Sequence, residues 1–167
     1  AKAANEEIRR LNRNLSHTEQ DYHTAHTKLE SLRNLAERYD GYGNSIKRVM
    51  EVRDRVKGIH GVVADLIDVP KEYEIAIETA LGGSIQNIVT DSEQTAKVLI
   101  EHLKKNRFGR ATFLPLSAIS AGNGFNTPGA LKEPGAIGIA ADLVHVRPEY
   151  QTLARYLLGR VLVVDHI

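Results

Sequence analysis

The sequence predicts an α+β fold made of two related mixed α/β subdomains, the second cut short, preceded by a long coiled-coil helix. Three observations predict it. A heptad seam runs from Ile8 to Tyr39, a glycine-bearing break follows it, and the segment at 61–82 returns at 138–159. Composition permits such a domain: 167 residues, 42% apolar, hold a real core and exclude a disordered or collagenous chain.

The seam comes first. Ile8, Leu11, Leu15, Thr18, Tyr22, Ala25, Leu29, Leu32, Ala36 and Tyr39 alternate steps of three and four, with Thr18 the one polar intruder. A sustained a/d stripe with charged and amide residues around it predicts a coiled-coil helix about 45 Å long, the arm of residues 1–40. The rival reading is an amphipathic helix lying on its own domain, which so long a helix would overhang. The arm should stop in YDGYGN, where Gly41 and Gly43 allow the chain to turn. A first subdomain is expected over 41–120. Asn44 or Ser45 is expected to cap its opening helix, with Ile46, Val49, Met50 and Val56 on one side and Gly58 past the end.

Beyond this the chain nearly repeats itself. GVVADLIDV at 61–69 returns as GIAADLVHV at 138–146, 77 positions later, and the match runs without a gap to Gly82 and Gly159. Nine of 22 positions are identical, among them Gly61/Gly138, Asp65/Asp142, Tyr73/Tyr150 and Gly82/Gly159, which predicts a structural repeat. Each copy reads as a strand, a proline near a helix start (Pro70, Pro148), an amphipathic helix, a glycine at its end and another strand. The helix stripes are Tyr73, Ala76, Ile77 and Ala80, then Tyr150, Leu153, Ala154 and Leu157; Gly82 should take a left-handed conformation. The following strands are SIQNIVT at 84–90 and RVLVVDHI at 160–167.

After its second strand the first copy continues with Asp91 as N-cap and Gln94 three later, into a helix burying Ala96, Leu99, Ile100 and Leu103, then the strand RATFLPL. GNGFNTPG at 122–129 resembles a phosphate loop only superficially and is expected within a connector at 121–137. The second subdomain, 138–167, reaches Asp165 where the matching helix should begin, so a faithful repeat predicts a continuation of about 25 residues.

GIHGVVADLIDV, EYEIAIETALGGSIQNIVTD and LKKNRFGRATFLPL resemble the hinge domain of SMC proteins, the structural-maintenance-of-chromosomes ATPases, in their bacterial form. The resemblance covers roughly 41–167. It implies a hinge at the far end of an antiparallel coiled coil, homodimerisation, a returning arm helix of the same parent protein, and ATP-binding heads with kleisin-type partners outside this chain. It also implies DNA contact, with single strands favoured, through basic surface, and a cytoplasmic, chromosome-associated protein. A glycine-rich segment that contributes to the dimer contact is expected after Ile167.

Chemistry is otherwise scarce. There is no P-loop, no G-x-S-x-G and no H-E-x-x-H, so neither enzyme activity nor a cofactor is expected in this chain. His23 and His26 share helical spacing off the seam and read as solvated positions rather than metal ligands, and Asp65 and Asp142 as the polar position of a repeated strand rather than a catalytic pair. No apolar run approaches the roughly 18 residues of a membrane span, the start AKAANEEIRR has no signal-peptide core, and the absence of cysteine suits a reducing compartment.

One stretch remains. Lys104, Lys105, Arg107 and Arg110 crowd into HLKKNRFGR while the whole chain carries only +1. Cations in a last helical turn favour the dipole by about 0.3–1 kcal/mol each, and Glu101 is spaced to pair with Lys105. The run continues past Gly109, beyond what a helix end needs, so these four are the candidate DNA-binding residues, contacting mainly phosphate because Phe108 is the only ring among them. The alternative is a structural coiled-coil dimerisation adaptor with no nucleic-acid affinity.

Overall fold

The computed structural model describes residues 1–38 and 42–165, with side chains at 1–34 and 42–165. The chain divides into two compact units, Ala1–Gly41 and Tyr42–Ile167. The first is a single helix, α1 (Lys2–Arg38), about 55 Å long at 1.5 Å per residue. Its seam is apolar but exposed, with Leu11, Leu15 and Leu29 each more than half accessible. Thr18 turns its hydroxyl back to the Asn14 carbonyl at 2.9 Å, which satisfies it within the helix. The expected seam position Tyr39, the turn at Gly41 and the final His166 and Ile167 lie outside the described residues, as does the side chain of Ala36.

The second unit opens with α2 (Asn44–Glu51), which buries Ser45, Ile46, Val49 and Met50. Its N-cap is Gly43 with no side-chain cap, so the expected cap at Asn44 or Ser45 is corrected. Both side chains bond instead to carbonyls more than sixty residues away. Val56 lies past the helix end and is only partly buried, whereas Val52 is buried at the C-cap.

The repeat is present as β1 (Ile59–Val62), α3 (Val63–Leu66), α4 (Glu74–Leu81) and β2 (Ile88–Thr90), matched by β4 (Ala136–Ile139), α6 (Ala140–Leu143), α7 (Gln151–Leu158) and β5 (Leu162–Val164). A short 3-10 turn precedes each long helix, at Lys71–Tyr73 and Pro148–Tyr150. The strand expected over 61–69 is corrected: it ends at Val62, and VADL turns helical, as does AADL. Val62 and Val63 are adjacent and both fully buried. Val63 joins the core shared by the two copies, whereas Val62, paired with Ile88, lies outside it. Asp65 and Asp142 therefore sit on short helices, not strands. The strand expected from residue 84 starts only at Ile88, because Gly82–Gln86 forms a 3-10 turn after Gly82 adopts φ 52°.

That turn lengthens the first copy by three residues, so the offset of 77 on the first strands becomes 74 on the second. Ile59 pairs with Thr90 and Gly61 with Val89; Ala136 pairs with Val164 and Gly138 with Val163. Both ladders are antiparallel and bulged at the same place. Gly61 holds the bulge with φ 139°, which side chains rarely adopt. Gly138 does the same without entering that region, and Gly159 closes α7 where a Cβ would overlap the Arg155 carbonyl.

The two copies meet at equivalent residues. Asp68 and His145 exchange both backbone hydrogen bonds, each 2.8 Å, as across a local two-fold axis. Around this bridge one core joins Val63, Ile67, Ile77, Leu81 and Val89 to their counterparts Ala140, Val144, Ala154, Leu158 and Val163. His60 Nδ1 lies 2.8 Å from the Tyr150 hydroxyl, a further tie between copies, and burial pushes the Tyr150 pKa up.

Among the described residues a third strand follows in the first copy. After β2 comes α5 (Glu93–Asn106), then β3 (Phe113–Pro115), parallel to β2. The N-cap is Ser92, whose hydroxyl accepts from the Thr95 N–H at 3.3 Å, rather than Asp91. Asp91 instead donates its N–H to the Gly58 carbonyl and accepts from the Thr95 hydroxyl at 2.5 Å. Asp165 repeats the backbone bond on Gly135. Ala96, Leu99 and Leu103 are buried as expected, but Ile100 stays 39% exposed. The chain reaches β4 through Gly122 and Gly124, both with positive φ, and a 3-10 turn at Pro128–Lys132; β4 itself begins within the segment expected as connector.

Two outcomes follow from this packing. Leu153→Ala, at a fully buried position of the shared core, should cost about 2–5 kcal/mol and leave one cooperative unfolding transition for the two copies, read by chemical denaturation. The Thr95 hydroxyl holds the Asp91 carboxyl below its ordinary range. The stability that this bond contributes is then fully present above the ordinary carboxylate pKa and is lost as pH falls through the depressed one. Thr95→Val should return the Asp91 titration, followed by carboxyl NMR, toward its ordinary value and remove that part of the acid sensitivity.

Candidate nucleic-acid interface

The basic run begins where α5 ends. Phe108 N–H reaches the Leu103 carbonyl at 3.0 Å and Arg107 N–H the Lys104 carbonyl at 3.2 Å, the paired bonds of a Schellman cap. The residue in the left-handed position of this cap is ordinarily glycine; here it is Arg107, with φ 55° and ψ 39°. Among the described residues it alone, apart from glycines, has positive φ. Such a conformation costs a side-chain-bearing residue about 1–2 kcal/mol, and it throws the guanidinium off the helix line.

The segment after Arg107 is held from α2. Ser45 Oγ donates to the Arg110 carbonyl at 2.6 Å, and Asn44 Nδ2 to the Phe108 carbonyl at 3.4 Å. Thr112 then offers its carbonyl to Ile88 N–H at 2.9 Å, which starts the ladder to β3. The cations between Asn106 and Thr112 thus ride on backbone fixed at several carbonyls.

All four expected cations are exposed, and none takes part in an ion pair among the described residues. The expected Glu101–Lys105 pair does not form, because both side chains lie out in solvent where such a pair gains little. Lys104, Arg107 and Arg110 converge on an open cleft of about 690 Å³ between the last turns of α5 and the approach to β3. Its remaining lining is Ile100, Leu103, Gly109, Ala111 and Phe113. Lys105 does not line it.

A further cation joins from α2. The Arg48 guanidinium stands 4.7 Å over the Phe108 ring and pairs with Glu51 at 3.2 Å, while His102 meets the same ring edge-on. Arg48 and the two tethering residues were invisible as site residues in the sequence, since sixty positions separate them from the run and their local pattern reads as a helix start. Phe108 is accordingly occupied on one face and is no free stacking platform.

The other candidates fall apart as sites. His26 stacks on Tyr22 and pairs with Glu30 at 3.4 Å, and Asp142 pairs with Arg155 at 3.9 Å. Among the described residues no cluster of three His, Asp or Glu is placed to hold a metal ion, and no helix is long and apolar enough to cross a membrane.

Residues 56–167 match the family model of the SMC proteins flexible hinge domain. The chromosome partition protein Smc of Lactiplantibacillus plantarum is 41% identical over 141 residues, covering 83% of this chain and 12% of that protein. The protein of the same name from Desulfitobacterium hafniense is 37% identical over 168 residues, covering 98% of this chain and 13% of its own length. The chain therefore spans about an eighth of the curated relatives it matches. A crystal structure of an asymmetric dimer of the Geobacillus stearothermophilus SMC hinge domain superposes with a TM-score of 0.74 at 38% identity, covering 89% of this chain and 64% of that one.

The strained cap yields a direct outcome. Arg107→Gly should relieve the left-handed backbone and raise stability by up to about 1 kcal/mol, measured by thermal or denaturant unfolding, while removing one cation from the cleft.

Proposed function

This chain belongs to the flexible hinge domain family of SMC proteins, and we propose that it serves as the dimerisation hinge and DNA-contacting module of a chromosome condensation and segregation ATPase. The hinge itself is not catalytic; ATP chemistry and kleisin-type partners belong to heads elsewhere in the parent protein. Two findings support self-association: the related Geobacillus hinge is a dimer, and this chain matches it over most of its length. The exposed apolar seam of α1 supports pairing with a returning arm helix of the same parent. Relatives named for chromosome partition support a chromosome-associated role.

The observation that carries DNA contact is the convergence of Lys104, Arg107 and Arg110 on one surface, without acid partners and on tethered backbone. Binding by such a surface is mainly to phosphate, so it is salt-dependent and indifferent to sequence. The arrangement of Arg48 over Phe108 argues against base stacking on that ring.

Charge reversal at Lys104 and Lys105 tests the reading. Affinity for DNA of any sequence should fall, and the salt slope should become shallower by about 0.7–0.9 for each phosphate that the variant no longer neutralises. Folding should survive, because exposed cations contribute little singly. Titrations with short single- and double-stranded oligonucleotides over a salt series, with circular dichroism as the control, measure both slope and strand preference. Unmoved affinity and slope in a folded variant would leave a structural coiled-coil dimerisation adaptor as the better description.

A further inference from the structure

The cleft beneath the cations is more apolar than phosphate binding needs. Its floor is Ile100, Leu103, Ala111 and Phe113, and its rim is Lys104, Arg107 and Arg110. Ile100 marks it as a surface: it stands one residue from the fully buried Leu99, on the same helix, yet keeps 39% of its area exposed. At about 690 Å³ the open cleft leaves room for one large side chain.

We propose that this cleft binds an acidic peptide segment carrying a large apolar side chain, with the side chain on the apolar floor and its flanking carboxylates on Lys104, Arg107 and Arg110. The charge at the rim selects an anionic partner. The floor selects between kinds of anion. An unstacked base carries donors as well as acceptors on its edge, and the polar side chains of the lining are all cationic donors, so no side-chain acceptor meets the base's own donors. Burying those groups unpaired costs about 1–3 kcal/mol each. A phenyl or branched aliphatic group has none to leave unpaired. The ring best placed in the sequence to stack on a base, Phe108, does not line the cleft and has Arg48 over it.

The peptide and DNA would compete for the same cations, so the peptide is a regulator of DNA contact; that consequence rests on the DNA reading above, whereas peptide binding itself does not. Occupancy of the floor adds what DNA lacks, an apolar anchor.

The test uses the full chain and two labelled peptides of aspartate and glutamate, one with a single central phenylalanine and one with alanine in its place. The phenylalanine peptide should bind about tenfold or more tighter, the effect of burying one such ring, and an unlabelled oligonucleotide should displace it. Ile100→Gln, polar in the floor and outside the phosphate contacts, should erase the advantage of phenylalanine while leaving oligonucleotide binding unchanged. Methyl NMR of the unaltered chain provides a reading independent of any variant: Ile100, Leu103 and Ala111 should shift with the phenylalanine peptide and not with the alanine one. Equal affinities for the two peptides, or methyls that do not move, overturn the proposal. Methyls that respond to single-stranded oligonucleotide and not to the phenylalanine peptide overturn it too, and assign the floor to a base. Failure of the DNA reading shows separately, as oligonucleotide affinity unaffected by reversing Lys104 and Lys105.

Discussion

The joint burial of two short helices, α4 and α7, around the reciprocal Asp68–His145 bridge is the interaction on which the rest of the globular unit depends. A strand, a helix and a strand are too small to bury an apolar helix face alone. Two copies facing each other at equivalent residues solve this, since Ile77 and Leu81 of one meet the surroundings of Ala154 and Leu158 of the other. The backbone bridge fixes the register of that meeting without any side-chain specificity, which is why aspartate and histidine can occupy matched positions.

With one face of its sheet covered this way, the first copy is free to cover the other. Val89 and Leu114 belong to the shared core, whereas Ile88 and Leu99 are fully buried outside it, in the layer that α2 and α5 build. The order of strands, β1-β2-β3 with β3 parallel to β2, requires α5 as the crossover. The C-terminal turn of that crossover is therefore placed at the sheet edge with the carbonyl end of its dipole outward, where cations are favoured. The basic surface is a consequence of the crossover before it is anything else.

Local geometry sets this surface apart from an ordinary helix end. Arg107 occupies a backbone position that glycine would fill at lower energy, and α2 holds the following carbonyls through Ser45 and Asn44. A chain of net charge +1 thus concentrates cations without any general basic character. The same turn leaves Ile100 and Phe113 lining a cleft, so charge and apolar area are adjacent.

The sequence by itself determined the seam from Ile8, the 77-residue repeat, the buried positions Ile77, Ala96, Leu99, Leu103, Leu153 and Ala154 on α4, α5 and α7, and the crowding of Lys104, Lys105, Arg107 and Arg110. Each is a periodicity or a local density, and those depend on neighbours within a few residues. Leu81 and Leu158, however, took the burial expected of Ala80 and Leu157. Only the tertiary structure decided that VADL turns helical after Val62, that the second strands are offset by 74, that Gly43 and Ser92 are the caps, that Ile100 is left uncovered and that Arg48 takes the face of Phe108. These outcomes depend on partners tens of residues away. Whether Asn44 caps its own helix or tethers Phe108 is a competition between hydrogen bonds of similar strength, and folding brings the second acceptor within reach.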